Sequence, residues 1–243
     1  MQLSSSISTT NFSRAYLRRA WETRSTLADY EKNGFAIFFY LTVTGHVEAS
    51  MVELMERRLM YTRSVVSRHK EGAFSWAGTD SPLFPTRPIH DTLMSVIAHF
   101  ARRIDKASLD SLIELFQDVF AVQLSETLGD SYLDLKALAG LRNVFAHGRE
   151  MWLKFVQDEA NLLSLDRNPL QLPAQRLLAA GVLSTLEFDS RTHNEFQRAF
   201  FSDAAMLYFL GRAREIESKL KDVLAFAPEM QVPLMVALPN LTA

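Results

Sequence analysis

Residues 131–152 read SYLDLKALAGLRNVFAHGREMW, and this stretch decides the fold class. Its apolar side chains recur at steps of three, four and seven residues: Leu135, Leu138, Leu141, Phe145 and Trp152. That spacing is typical of an amphipathic helix that buries one face. Ser131 and Asp134 have the spacing of a capping box, which predicts that the helix begins there.

The same helical period recurs on both sides of this stretch, and the few glycines and prolines lie mostly between the periodic segments. We therefore predict an all-α fold, a bundle of roughly five to seven helices with long central helices. The pair Asn33-Gly34 is expected to end the first helix. The other predicted helices cover residues 12–32, 35–69, 91–104, 108–124, 174–183 and 192–225.

The chain has 243 residues, of which 48% are hydrophobic and 22% charged, so it can bury a sizeable core. We expect residues 1–10 to form a flexible N-terminus, residues 11–228 one α-helical domain, and residues 229–243 a C-terminal tail. The tail either packs on the domain or covers a partner surface. The loop over residues 70–88 either packs through its aromatic side chains or is mobile.

Charge and composition exclude several classes of protein. The net charge of −2 excludes a polybasic nucleic-acid-binding sheath, although a local basic site is compatible with it. The absence of cysteine excludes disulfides, thiolate nucleophiles and Cys-ligated metals. The six histidines are scattered and the chain has no Gly-rich phosphate loop, so we predict no metal and no cofactor.

No segment is predicted to cross or enter a membrane. The first ten residues lack the basic and apolar regions of a secretory signal. The longest apolar stretch, residues 35–47, contains Thr42, Thr44 and His46 and is shorter than the about 20 residues that a membrane span needs. We therefore expect a soluble cytoplasmic protein.

Arg142, Asn143 and His147 form the motif that carries chemistry. Asn143 and His147 are four residues apart and therefore share a face of the helix, and the long stem of Arg142 can reach the same cleft. An imidazole can exchange a proton near neutral pH, and a guanidinium can stabilise charge on phosphoryl oxygens. The three side chains are suited to a phosphodiester substrate.

The segment Arg142-Asn143-Val144-Phe145-Ala146-His147-Gly148 resembles the signature of the HEPN superfamily. Members are compact α-helical domains that dimerise with their motif helices facing each other. Many are metal-independent endoribonucleases of toxin–antitoxin, abortive-infection and CRISPR-linked defence systems. The resemblance implies that Arg142 and His147 are catalytic, that Asn143 supports them, and that the protein is a homodimer acting on RNA. It also implies a toxin or phage-defence role and a partner that is an antitoxin or a small nucleotidyltransferase.

Three alternatives stay open at this point. The chain is either such an enzyme or a non-catalytic helical module for dimerisation, partner binding or nucleotide binding. His46 and Glu48 either pack in the interior or assist the motif as auxiliary residues. A basic run near the end of the second helix either forms a solvated face or contacts RNA phosphates: Arg57, Arg58, Arg63, Arg68, His69 and Lys70.

Overall fold

The computed structural model describes residues 9–70, 87–146, 155–157, 163–165, 169–188, 198–223 and 241. The predicted all-α class is confirmed, because most of these residues are helical. The helices are α1 (Thr9–Thr23), α2 (Asp29–Lys70), α3 (Arg87–Ile104), α4 (Leu109–Phe120), α5 (Leu124–Leu128), α6 (Ser131–Ala146), α7 (Gln171–Ala179) and α8 (Asp203–Asp222).

A small antiparallel sheet accompanies the helices. Its strands are β1 (Phe155–Gln157), β2 (Leu163–Leu165) and β3 (Glu187–Phe188), with β2 in the middle. In the register, Phe155 pairs with Leu165, and Leu163 pairs with Phe188. These strands were not predicted, because two or three residues are too few to show an alternating pattern.

The chain divides into two compact units. Of the described residues, the first unit contains 9–47, 128–146, 155–157, 163–165, 169–188, 198–219 and 241. The second contains 48–70, 87–127 and 220–223. Helix α2 contributes its first part to one unit and its second part to the other. The motif helix α6 lies entirely within the first unit.

The core of the first unit begins where α1 packs on α2. Trp21 of α1 is buried, and its ring centroid lies 6.2 Å from that of Phe35 and 5.5 Å from that of Phe39. The guanidinium of Arg24 lies 3.7 Å from the centre of the Trp21 ring and forms an ion pair of 2.9 Å with Asp203. This pair links the end of α1 to the start of α8.

The predicted break at Asn33-Gly34 is wrong, because α2 begins at Asp29 and continues through both residues. The first helix instead ends at Thr23, residues 24–26 form a short 3-10 turn, and residues 27–28 connect this turn to α2. The side chain of Glu31 accepts a hydrogen bond of 2.7 Å from the backbone N–H of Ala28, and this closes the start of α2. A single glycine in a helix is tolerated when the residues around it form buried contacts.

Two other predicted boundaries are also corrected. Residues 198–200 are helical, but the predicted long last helix is interrupted, and Ser202 caps α8 by accepting a hydrogen bond from the Ala205 amide at 3.2 Å. The helix predicted over 108–124 ends at Phe120 because Ala121 adopts a left-handed conformation, with φ of 54°. Residues 71–86, 189–197, 224–240 and 242–243 lie outside the described residues, and so do the predictions made for them.

Helix α2 is the one described helix that is long and apolar enough to cross a membrane, judged by length and composition. In its most apolar window, 56% of the residues are buried inside the structure. Core helices of soluble proteins and signal sequences have the same length and composition. The length and composition of α2 therefore fit a membrane span, a core helix and a signal sequence alike.

Gly34 and Gly140 provide a matched pair of substitutions. A Cβ at Gly34 would meet nothing within 4 Å, so Gly34→Ala should raise the free energy of unfolding by about 0.5–1 kcal/mol through helix propensity alone. A Cβ at Gly140 would lie 2.6 Å from the carbonyl oxygen of Pro169, so Gly140→Ala should lower it by about 1–3 kcal/mol. Urea unfolding followed by circular dichroism measures both changes. Equal effects of the two substitutions would contradict this assignment of the close contact.

Candidate functional site

Helix α6 carries the motif, and its apolar face fixes its position. Leu138, Leu141 and Phe145 are buried, as predicted. The ring of Phe145 stacks on that of Tyr40 in α2, with centroids 5.6 Å apart and planes inclined by 13°. The buried hydroxyl of Tyr40 donates a hydrogen bond of 2.6 Å to the carbonyl of Phe200, and burial raises the pKa of this phenol. The last turn of α6 is thus held against α2.

A fully buried carboxylate, that of Asp134, lies two turns before the motif. Arg176 of α7 donates two hydrogen bonds to it, Nε to Oδ1 at 2.7 Å and Nη2 to Oδ2 at 3.0 Å. The hydroxyl of Tyr208 in α8 donates to Oδ1 at 2.8 Å, and Arg212 forms an ion pair of 3.4 Å with Oδ2. This carboxylate therefore connects α6, α7 and α8.

The cluster changes the acid–base properties of its members. Hydrogen bonding to Asp134 raises the pKa of Arg176, which stays charged. Burial, followed by the hydrogen bond to Asp134, raises the pKa of Tyr208, which stays neutral. The hydrogen bond with Tyr208 raises the pKa of Arg212. The side chains that surround Asp134 are therefore two charged arginines and a neutral phenol.

A second group of charges continues the cluster toward the start of α6. Glu215 accepts hydrogen bonds from Ser131 and Lys219, both at 2.7 Å, and from Arg212 at 2.6 Å. Lys219 also donates to the carbonyl of Leu128 at 3.0 Å. The capping box predicted for Ser131 and Asp134 is therefore wrong, because both side chains bind groups of α7 and α8 instead. The predicted start of the helix at Ser131 is correct.

Arg142 and Asn143 lie in the last turns of α6, and both side chains are half-buried. At 3.6 residues per turn, Asn143 lies on the side of α6 opposite the buried Leu138, Leu141 and Phe145, and Arg142 lies at the border of that apolar face. A cation near the C-terminal end of a helix is also favoured by the helix dipole. His147 lies outside the described residues, so its approach to Arg142 stays a prediction.

The auxiliary candidates lie on α2. His46 is 2% exposed and belongs to the first unit, whereas Glu48 is half-buried and belongs to the second. In the basic run, Arg57 forms an ion pair with Glu53 one turn earlier, and Arg63 is exposed. The side chains of Arg68, His69 and Lys70 lie outside the described residues.

The Asp134 cluster was missed by sequence reasoning. Its partners Arg176 and Tyr208 are 42 and 74 residues away along the chain. The available signal was an aspartate in a helix whose neighbours one and four residues later, Leu135 and Leu138, are apolar and buried. A charge at such a position needs a partner.

Within the described part of the chain, no group of three or more His, Cys, Asp or Glu side chains could hold a metal ion. Comparisons with family models, with curated proteins and with solved structures give no match.

Replacing Asp134 tests its structural role. Asp134→Ala leaves two arginines without their buried anion, and we expect it to lower the free energy of unfolding by about 3 kcal/mol. The exposed Asp118 of α4 is the control, because Asp118→Ala should change the value by less than about 0.5 kcal/mol. Chemical unfolding of both variants measures the difference. A similar stability of the two variants would contradict the role given to Asp134.

Glu215 makes stability depend on pH. Hydrogen bonds from Lys219 and Ser131 lower the pKa of Glu215 from 4.5 to about 2. The charged form is thus favoured in the folded state, and its stabilising contribution is complete above pH 4.5 and is lost as the pH falls toward 2. We expect the stability difference between the native chain and Glu215→Gln to shrink over this interval. A difference that stays constant between these pH values would contradict it.

Proposed function

We propose that this protein is a metal-independent endoribonuclease of the HEPN type, in which Arg142, Asn143 and His147 form the active site. The supporting observation is the position of Arg142 and Asn143, which are half-buried and adjacent in the last turns of α6. The helix itself is held by the Phe145–Tyr40 stack and by Asp134. A toxin or phage-defence role, with an antitoxin or a nucleotidyltransferase as partner, belongs to the same proposal.

The chemistry uses a nucleophile that RNA carries itself. The 2′-hydroxyl lies beside the scissile phosphate in RNA and is missing in DNA. In the proposed reaction, His147 withdraws the proton of this hydroxyl, whose oxygen attacks the phosphorus. The bond to the 5′-oxygen breaks, and a protonated imidazole supplies the proton that this oxygen needs. The products are a 2′,3′-cyclic phosphate and a 5′-hydroxyl end.

Arg142 and Asn143 have separate parts in this reaction. The guanidinium of Arg142 binds the phosphoryl oxygens as negative charge accumulates on them, so its contribution is larger in the transition state than in the bound substrate. Asn143 orients the cleft by hydrogen bonding. Both side chains are on one rigid element, which favours a fixed geometry.

The proposal includes an isologous homodimer. One imidazole cannot at the same moment withdraw one proton and donate another. A two-fold axis beside α6 would bring a second Arg142 and a second His147 into the same groove. Two imidazoles can hold opposite protonation states because an unperturbed histidine titrates near about 6.5.

Cleavage of a single-stranded RNA tests the proposal directly. We expect His147→Ala to lower kcat about 100- to 10,000-fold and Arg142→Ala about 100- to 1,000-fold, with smaller changes in KM. The matched controls are His99→Ala and Arg198→Ala, which change exposed side chains outside the motif and should retain full activity. Activity should persist in EDTA, and DNA and 2′-O-methylated RNA should resist cleavage.

Several outcomes would overturn the proposal. Activity that EDTA abolishes and a divalent ion restores, or products with 5′-phosphate ends, would exclude this mechanism. Light scattering on the same samples should report a dimer, and a fully active monomer would contradict the shared site. Soluble protein whose RNA cleavage equals that of His147→Ala would instead support the non-catalytic binding module.

A further inference from the structure

A groove in the first unit lies between α1 and the start of α2, apart from the motif. It encloses about 470 Å³, within the range of about 300–1,000 Å³ that is common for small-molecule sites. Its walls carry aromatic rings and small side chains, with one cation and one carboxylate among them. The lining residues that matter here are Tyr16, Arg19, Glu31, Gly34, Phe35 and Phe38.

Aromatic rings dominate one wall. The side chain of Tyr16 is 62% exposed, and its ring meets that of Phe38 edge-on, with centroids 5.3 Å apart. Phe35 is buried beneath, against Trp21. An exposed ring held by a second ring offers a flat, fixed surface to a planar group. Stacking on such rings is how proteins bind the bases of single-stranded nucleic acids.

The polar lining groups fit the rest of a nucleotide. Arg19 is exposed, and among the described residues its guanidinium forms no ion pair, so it can bind a phosphate. One carboxylate oxygen of Glu31 accepts the Ala28 amide. The second oxygen of this carboxylate can accept a hydrogen bond from a base amino group. The ring of Tyr16 thus suits the base, the guanidinium of Arg19 suits the phosphate, and the carboxylate of Glu31 suits the amino group of the base.

We propose that this groove binds one nucleotide of a single-stranded RNA, with the base on Tyr16 and the phosphate on Arg19. The choice of RNA over a free nucleotide rests on the proposed function. The groove would hold the substrate strand at a place other than the reacting phosphate. Its loss should therefore weaken RNA binding without removing the cleavage chemistry.

Binding of a fluorescent, 2′-O-methylated single-stranded RNA, followed by anisotropy, tests the groove without cleavage. We expect Tyr16→Ala to weaken binding about fivefold to a hundredfold, and Tyr16→Phe to preserve it, because stacking needs only the ring. Arg19→Ala should also weaken binding and reduce the slope of log K against log salt concentration by about 0.7. A purely structural effect of the substitution would leave that slope unchanged.

The groove offers matched controls for each variant. Tyr30 is 77% exposed and Arg18 is exposed beside Arg19, but neither lines the groove, so Tyr30→Ala and Arg18→Ala should bind as the native chain does. Gly34 lines the groove with open space beside it, so Gly34→Leu should fill the groove and weaken binding, whereas Gly34→Ala should not. Equal effects within any of these three matched pairs would overturn the proposal.

The two proposals can fail separately. A native chain that cleaves RNA while Tyr16→Ala and Arg19→Ala bind RNA normally would overturn the groove and leave the nuclease intact. Groove-dependent binding by a chain that never cleaves RNA would overturn the nuclease and support the groove. A free nucleoside monophosphate that binds more tightly than the RNA would identify a mononucleotide as ligand and overturn the RNA assignment, as would a native chain that binds no RNA.

Discussion

The arrangement around α6 depends on one buried charge. A carboxylate removed from water is costly unless several donors replace the solvent, and the donors of Asp134 come from two other helices. Because the contact with Arg176 is bidentate, it constrains direction as well as distance. α7 and α8 can satisfy Asp134 only in particular positions. The apolar side chains of α6 supply the buried apolar surface. The hydrogen bonds of Asp134 restrict the positions that α7 and α8 can take beside it.

Local periodicity predicted α6 well, because the residues that set it are close in sequence. The spacing of Leu138, Leu141 and Phe145 gave both the helix and its buried face. Local sequence patterns gave wrong predictions where contacts with residues distant along the chain determine the structure. Ser131 and Asp134 have the spacing of a cap, yet α7 and α8 supply better partners. Asn33-Gly34 has the composition of a break, yet α2 continues through both residues into the buried Phe35 and Phe39, which pack on Trp21 of α1.

The candidate site could be predicted in part for the same reason. Arg142 and Asn143 are adjacent, and the helical offset from Leu141 was enough to predict that both are partly accessible. The sequence did not predict the contacts with other helices that hold α6 in place. The stack of Phe145 on Tyr40 joins residues from separate helices, and no local pattern predicts it. The site therefore combines a local motif with a support made by distant parts of the chain.

The separation of Asp134 from its partners has a consequence for synthesis on the ribosome. Tyr208 follows Asp134 by 74 residues, which at about 5–20 residues per second corresponds to roughly 4–15 seconds of translation. For the first 42 residues of that interval the carboxylate has none of its partners and stays hydrated, because burial without partners is unfavourable; Arg176 then becomes available, but Tyr208 and Arg212 are still missing. The nascent α6 segment therefore cannot adopt its final packing until α8 has emerged. Assembly of this part of the protein is a late event of its own translation.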